Sequence, residues 1–258
     1  MRAPSADAGP GIGPGPLPFS PCRSLREQPL KDAESVSEAR ELHFPPRTLI
    51  FQEGDAADSI FQVEDGMVML YQLLPDGRRQ VVEFLKPGDV FGLSAAPACD
   101  CSAETLVATS CTAYDRSAVE HSAALTKKLG AAAFQQVCGL HEHVMLLGRK
   151  SASERMASFI MRLIPSRGRG RCPGPPPQGD DSARVPLPMT RLEIADFLGL
   201  TIETVSRVLS RLKRRGILSI QHLDEVDVCD ICRLCRLSGT HLIDGKWCSS
   251  RASLQNTG

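Results

Sequence analysis

The sequence predicts an α+β chain: a small all-β barrel or sandwich, then one long helix, then a helical domain with a β-wing. Three observations carry this. From His43 to about Tyr114, short apolar runs recur about every 11 residues between glycines, which is the texture of an all-β domain. From about Ser122 to Arg149 the apolar period becomes helical. Residues 190–216 then read as two capped helices joined by a tight turn at Gly199.

Length and charge bound the class. A chain of 258 residues allows one large domain or two modest ones and can bury a sizeable core. Thirty Lys and Arg balance thirty Asp and Glu. That excludes a uniformly basic nucleic-acid coat and leaves a local basic patch open. No run approaches the roughly 18 apolar residues of a bilayer span, so no membrane partner is expected. Arg2 is not followed by the apolar stretch of a secretory signal. A cytoplasmic chain with reduced thiols is therefore the expectation for its ten cysteines.

Taken in order, residues 1–42 form a poorly ordered leader, with alternating Gly and Pro from Gly9 to Pro21 and a short helix near 34–42. Residues 43–120 form the all-β domain. Its strands are expected at Leu49–Phe51, Ile60–Val63, Val68–Tyr71 and Val81–Phe84, and Pro75-Asp76-Gly77 reads as a hairpin turn. Residues 121–150 form the long helix. Its stripe of Leu125, Leu129, Ala133, Val137, Leu140, Val144 and Leu147 suits burial against the barrel or against a twin helix in a homodimer. Ser151 to Leu163 is a second amphipathic helix with Met156, Phe159, Ile160 and Leu163 inward. Ser166 to Pro186, rich in Gly, Pro and Arg, reads as a long loop. The second domain spans 151–240, and 241–258 is a tail.

The pair of helices at 190–216 carries the chemistry. Thr190 and Glu193 have capping-box spacing, Gly199 stops the first helix, and Thr201 caps the second. Two short helices with such a turn make a helix-turn-helix, whose second helix enters the DNA major groove. Val205, Val208, Leu209 and Leu212 share one face of that helix; Glu203, Ser206 and Arg207 share another. A carboxylate at Glu203 can accept from a cytosine amino group, and Arg207 can grip guanine O6 and N7 with two donors. Ser206 can reach a base edge or a phosphate. Arg211, Lys213, Arg214 and Arg215 suit phosphate contacts. The bland alternative is a solvated helix with a charge run, and the capped helix just before it argues against that. Ser219-Ile220 and Val226–Val228 read as a β-wing, and Asp230 to Leu237 as a final helix.

The stretch Leu198-Gly-Leu-Thr-Ile-Glu-Thr-Val-Ser-Arg-Val-Leu-Ser-Arg-Leu212 resembles the recognition motif of the CRP/FNR superfamily of transcription regulators. Its Glu203, Ser206 and Arg207 are similar to the FNR and FixK branch. Gly148-Arg-Lys-Ser-Ala-Ser-Glu-Arg-Met-Ala157 and Pro87-Gly-Asp-Val-Phe-Gly92 resemble that family's hinge and β-roll signatures. The resemblance runs from about 43 to about 240. It implies a homodimer with a cyclic-nucleotide-binding-like β-roll, a dimerisation helix and a C-terminal winged helix-turn-helix. It also implies TTGAT-like palindromes, contact with RNA polymerase, and activation of genes for low-oxygen respiration or nitrogen fixation.

The departures from the family pattern matter equally. Cyclic-nucleotide binders carry a Glu after the β-roll Gly and an Arg before Ser-Ala; here Leu93 and Cys101 stand there. The charge-assisted phosphate contact is lost, so no cyclic AMP is expected. Oxygen-sensing FNR proteins hold an iron–sulfur cluster with several N-terminal cysteines, and only Cys22 lies near this N-terminus. FixK-type members lack the cluster, and that is the closer likeness.

The remaining cysteines leave two readings open. Cys229, Cys232 and Cys235 form a C-x2-C-x2-C whose spacing suits a metal or iron–sulfur site, with Cys248, Cys172 or His241 as a fourth ligand. That would make the chain a redox sensor. The alternative is that these residues, like Cys99, Cys101 and Cys111, are small buried hydrophobes. Oxidation of the thiols near the wing is a third use. His141 and His143 on the long helix read as satisfied helix histidines rather than metal ligands. No phosphate loop, catalytic triad or paired-carboxylate motif is present, so no enzyme is expected.

Overall fold

The computed structural model describes residues 39–164, 181–222 and 224–239, with two short strands at 242–243 and 246–247. Each glycine-bounded apolar run is a strand. The first domain contains β1 (Ala39–Phe44), β2 (Leu49–Phe51), β3 (Ser59–Asp65), β4 (Val68–Leu73), β5 (Arg79–Leu85), β6 (Val90–Phe91), β7 (Ser102–Thr105) and β8 (Thr109–Asp115). They form two four-stranded sheets in the orders β1-β8-β3-β6 and β2-β7-β4-β5. Alternation along each strand turns Val63, Val68, Leu85, Phe91, Ala103 and Cys111 into the roll. Phe51, Phe61 and Phe91 stack inside it with ring centroids 5.0 to 6.0 Å apart. The β4–β5 hairpin turns at Gly77, whose φ of +82° suits glycine, and its N–H donates to Leu74 O at 2.8 Å.

The expected short helix near 34–42 is not what residues 39–42 form. They belong to β1, which pairs with β8 from Ala39↔Tyr114 to Phe44↔Thr109. A partner strand far along the chain, invisible to local periodicity, sets their conformation. The roll thus begins at 39 rather than 43; residues 34–38 lie outside the described residues.

After α1 (Arg116–His121), α2 runs unbroken from Ala123 to Arg149. Its predicted stripe divides. Leu125 and Leu129 pack with Ile60, Val90, Tyr114 and Val119. Further on, the inward face is Gln136, Gly139, His143 and Leu146. Gln136 is held there by accepting from Val90 N–H at 2.9 Å. Val137 and Val144 instead point outward and are 44% and 69% exposed.

The second domain comprises α3 (Ala152–Leu163), β9 (Ala183–Pro186), α4 (Arg191–Leu198), α5 (Ile202–Arg214), β10 (Leu218–His222), β11 (Glu225–Val228) and α6 (Ile231–Ser238). A two-stranded ribbon of β12 (Leu242–Ile243) and β13 (Lys246–Trp247) follows. The expected loop to Pro186 ends in a strand: β9 pairs with β11 and completes a three-stranded wing. The rest of that loop, from 166 to 180, lies outside the described residues.

One apolar core joins the two domains. It runs from Met69 and Val81 in the roll through Leu146 of α2 to Phe159, Phe197 and Leu209. Polar contacts bind the same joint. Arg79 pairs with Asp196 at 3.0 Å, Gln80 donates to Asp196 O at 2.7 Å, and Arg47 pairs with the buried Glu193. Among the described residues, no helix is long and apolar enough to cross a membrane.

Candidate nucleic-acid interface

The interface is built around α4 and α5. Thr190 and Glu193 form the predicted capping box: Glu193 N–H donates to Thr190 Oγ1 at 3.2 Å and Thr190 N–H to Glu193 Oε2 at 2.7 Å. Burial pushes the Glu193 carboxyl up, but the Thr190 N–H and the Arg47 guanidinium outweigh it and hold it below its ordinary value. Gly199 closes α4 at φ +60°. Thr201 Oγ1 accepts from Thr204 N–H at 3.3 Å and starts α5.

Val205, Val208, Leu209 and Leu212 fasten α5 to the core. The opposite side is solvent-facing. Glu203, Ser206, Arg207, Arg211, Lys213 and Arg214 are all exposed, as is Thr201. At 100° per residue, Glu203, Ser206, Arg207 and Arg214 share one broad face, flanked by Arg211 on one side and Lys213 on the other. Sequence reasoning missed two members. Ser210 is exposed on the same face, and its i+4 relation to Ser206 was the available signal. Thr204 braces Arg207, whose Nη2 donates to Thr204 Oγ1 at 3.3 Å. Glu203 sits in the first turn, where its own backbone N–H and Thr201 hold its carboxyl below the ordinary range. It is therefore an ionised acceptor at neutral pH. Thr201 is already engaged as the cap. The surface this builds is acceptor and donor at the helix start and cationic at its end, as a base-reading and phosphate-gripping helix requires.

The three cysteines of the C-x2-C-x2-C motif lie in different surroundings. Cys229 is exposed at the end of the wing, while Cys232 and Cys235 are buried on α6, the helix that packs on α3. Among the described residues no group of three His, Cys, Asp or Glu is gathered as a metal site would need. Cys172 and Cys248 lie outside the described residues. In the roll, burial pushes the Cys101 thiol up to about 12 and the Cys111 thiol up to about 11, which keeps both protonated. His143 stacks on Phe197 with centroids 4.1 Å apart and donates from Nε2 to Phe197 O at 2.9 Å.

Residues 41–123 match the cyclic nucleotide-binding domain family, and residues 154–237 match the Crp-like helix-turn-helix domain family. The nitrogen fixation regulation protein FixK of Bradyrhizobium diazoefficiens is 35% identical over 209 residues, covering 78% of this chain and 82% of that protein. The chain belongs to the CRP/FNR family. FixK of Rhizobium meliloti is 36% identical, covering 69% of this chain and 77% of that protein. The solved structure of FixK2 from Bradyrhizobium japonicum superposes with a TM-score of 0.66 at 35% identity, covering 79% of this chain and 99% of that one. A CRP-family regulator from Thermus thermophilus shares the fold at 23% identity and a TM-score of 0.65, covering 78% of this chain and 98% of that one.

Membership in the CRP/FNR family makes this chain a DNA-binding transcription regulator and not an enzyme. It also assigns the first eight strands to the cyclic-nucleotide-binding β-roll fold.

Proposed function

We propose that this chain is a FixK-like transcription activator that reads TTGAT-like palindromes as a homodimer. In this reading it controls genes of low-oxygen respiration or nitrogen fixation. The observation that carries it is the exposed face of α5, with Glu203, Ser206 and Arg207 on its first turns. The relatives' names point the same way. Two are FixK proteins, and a third is the transcriptional activatory protein AadR of Rhodopseudomonas palustris, 34% identical.

The outward side of α2 supports the dimer. Gly130, Phe134, Val137, His141, Val144 and Gly148 alternate at spacings of four and three, which is the seam of a two-stranded coiled coil. Phe134 and Met145 on this side are each 60% exposed, so a second copy would cover apolar surface. Two α2 helices packed this way would present two recognition helices with the symmetry of a palindrome. Contact with RNA polymerase follows from the family analogy.

The reading also has the dimer bind DNA without a cyclic nucleotide. Leu93 and the protonated Cys101 thiol stand where a phosphate-binding site would need charge.

Fluorescence anisotropy without oxygen, at stated salt, on a TTGAT-N4-ATCAA duplex against a scrambled duplex tests this. Tight selective binding that added cyclic AMP leaves unchanged is expected. Equal affinity for both duplexes would overturn the operator assignment, and a large gain with cyclic AMP would overturn the effector-free reading.

A further inference from the structure

Three helix ends converge behind the recognition helix, and one side chain joins them. Arg155 lies in the first turns of α3. Its Nη2 donates to Leu147 O at 2.7 Å and its Nε to Lys150 O at 2.9 Å. Its Nη1 donates to Leu198 O at 2.8 Å and to Gly199 O at 3.4 Å. The first two carbonyls are at the C-terminal end of α2, and the other two are at the end of α4. Terminal helix carbonyls have no partner within their own helix, and they carry the negative end of the helix dipole. Two such ends facing one another repel unless a cation lies between them. Arg155 supplies the charge, and its planar fork supplies fixed directions that an ammonium group lacks.

We propose that Arg155 is a positioning residue: it sets the angle between the dimer helix and the recognition helix, and so sets the half-site spacing that the dimer accepts. This rests on the dimeric, palindrome-reading function proposed above. The chain path explains the coupling. Only Leu200 separates Gly199 from Thr201, the cap of α5. Any rotation of the α4 end against the α2 end therefore carries α5 with it. The fit at the clasp is close: a Cβ on Gly199 would lie 3.4 Å from Leu147 Cδ2 and 3.5 Å from Arg155 Nη1. A second tie, from His143 of α2 to Phe197 O, sits one residue upstream. It keeps α4 on α2 when Arg155 is replaced, so the replacement loosens an angle without detaching a domain.

The test uses full-length protein, wild type, Arg155→Lys and Arg155→Gln, on TTGAT duplexes with N3, N4 and N5 spacers and on a single half-site. Wild type should favour one spacer by about tenfold or more. Each variant should lose about tenfold on that spacer, keep its half-site affinity within about twofold, and show a flattened spacing profile. A loss shared equally by every spacer and the half-site would overturn the proposal, because that is what a merely structural residue would do. No loss anywhere would also overturn it.

Amide hydrogen exchange without DNA keeps the two readings separate. Exchange at 198–204 should rise in both variants while α3 and the α5 interior stay protected. If wild type prefers no spacer, the operator reading fails, and this exchange pattern alone decides whether Arg155 holds the joint. Protection lost across the whole second domain would assign Arg155 to folding and end the positioning role.

Discussion

At the scale of single residues, the proposed function divides α5 into base-reading first turns and a phosphate-gripping last turn. Arg207→Ala removes the only cation on the first two turns of α5. It should weaken binding to the preferred palindrome by about 1–3 kcal/mol and relax preference at one base pair. Arg214→Ala, in the last turn, should weaken all sequences alike and lower the salt slope by about one. Anisotropy on specific and random duplexes over a salt series checks both; equal effects on both duplexes from Arg207→Ala would remove it from base readout. The turn glycine gives a stability prediction. Gly199→Ala places a Cβ at φ +60° against Leu147 and Arg155. It should cost about 1–2 kcal/mol, read as a fall in Tm. These residues were legible because caps and turns are local chemistry. Thr190, Glu193, Gly199 and Thr201 each stand where the sequence pattern puts them. Arg155 was not legible. Its four acceptors come from segments up to 44 residues away, and no spacing rule links them.

At the scale of elements, α2 divides its length between the roll and solvent. Its apolar stripe reads from sequence as a single face. In the fold, Leu125 and Leu129 are buried against the roll, Val137 and Val144 face out, and Leu147 packs on the shared core, because the roll offers a polar partner to Gln136 and aromatic cover reaches His143 from Phe197. That leaves Phe134, Val137 and Val144 exposed, the surface the proposed dimer would cover. Val137→Glu should shift the protein from dimer to monomer with little change in far-UV circular dichroism. Sedimentation velocity checks this, and an unchanged sedimentation coefficient would place the dimer contact elsewhere. β1 and β9 teach the complementary lesson. Both were read as something other than strand, and both are edge strands held by long-range partners, β8 and β11. Edge strands take their conformation from pairing rather than from propensity.

At the scale of the whole molecule, the core shared by the two domains encloses a histidine that makes the fold sensitive to acid. Burial holds the His143 imidazole below its ordinary value of 6.5, with the nearby Arg162 charge adding to this; its hydrogen bond to Phe197 O opposes the shift. A histidine that resists protonation in the folded state contributes stability that is complete above about pH 6.5. That stability is lost as pH falls through the folded value. Glu193, held below 4.5, acts in the same direction at lower pH. The Tm should therefore fall between about pH 7.5 and pH 5.5. His143→Gln, which can still donate to Phe197 O, should fall less over that window. Parallel curves for the two proteins would show that His143 does not carry the acid sensitivity.

The sequence by itself determined the order of the main segments (β-roll, long helix, helix-turn-helix), the capped helix pair and the chemistry of its outer face. Those follow from periodicity, cap residues and glycine turns, which act over a few neighbours. Tertiary structure alone decided which part of the α2 stripe faces outward, which strands edge the sheets, and that Cys232 and Cys235 are buried on α6. It also decided that one arginine holds the ends of two helices together. Each of these depends on what lies across the fold, and a buried side chain takes its role from the groups that surround it there.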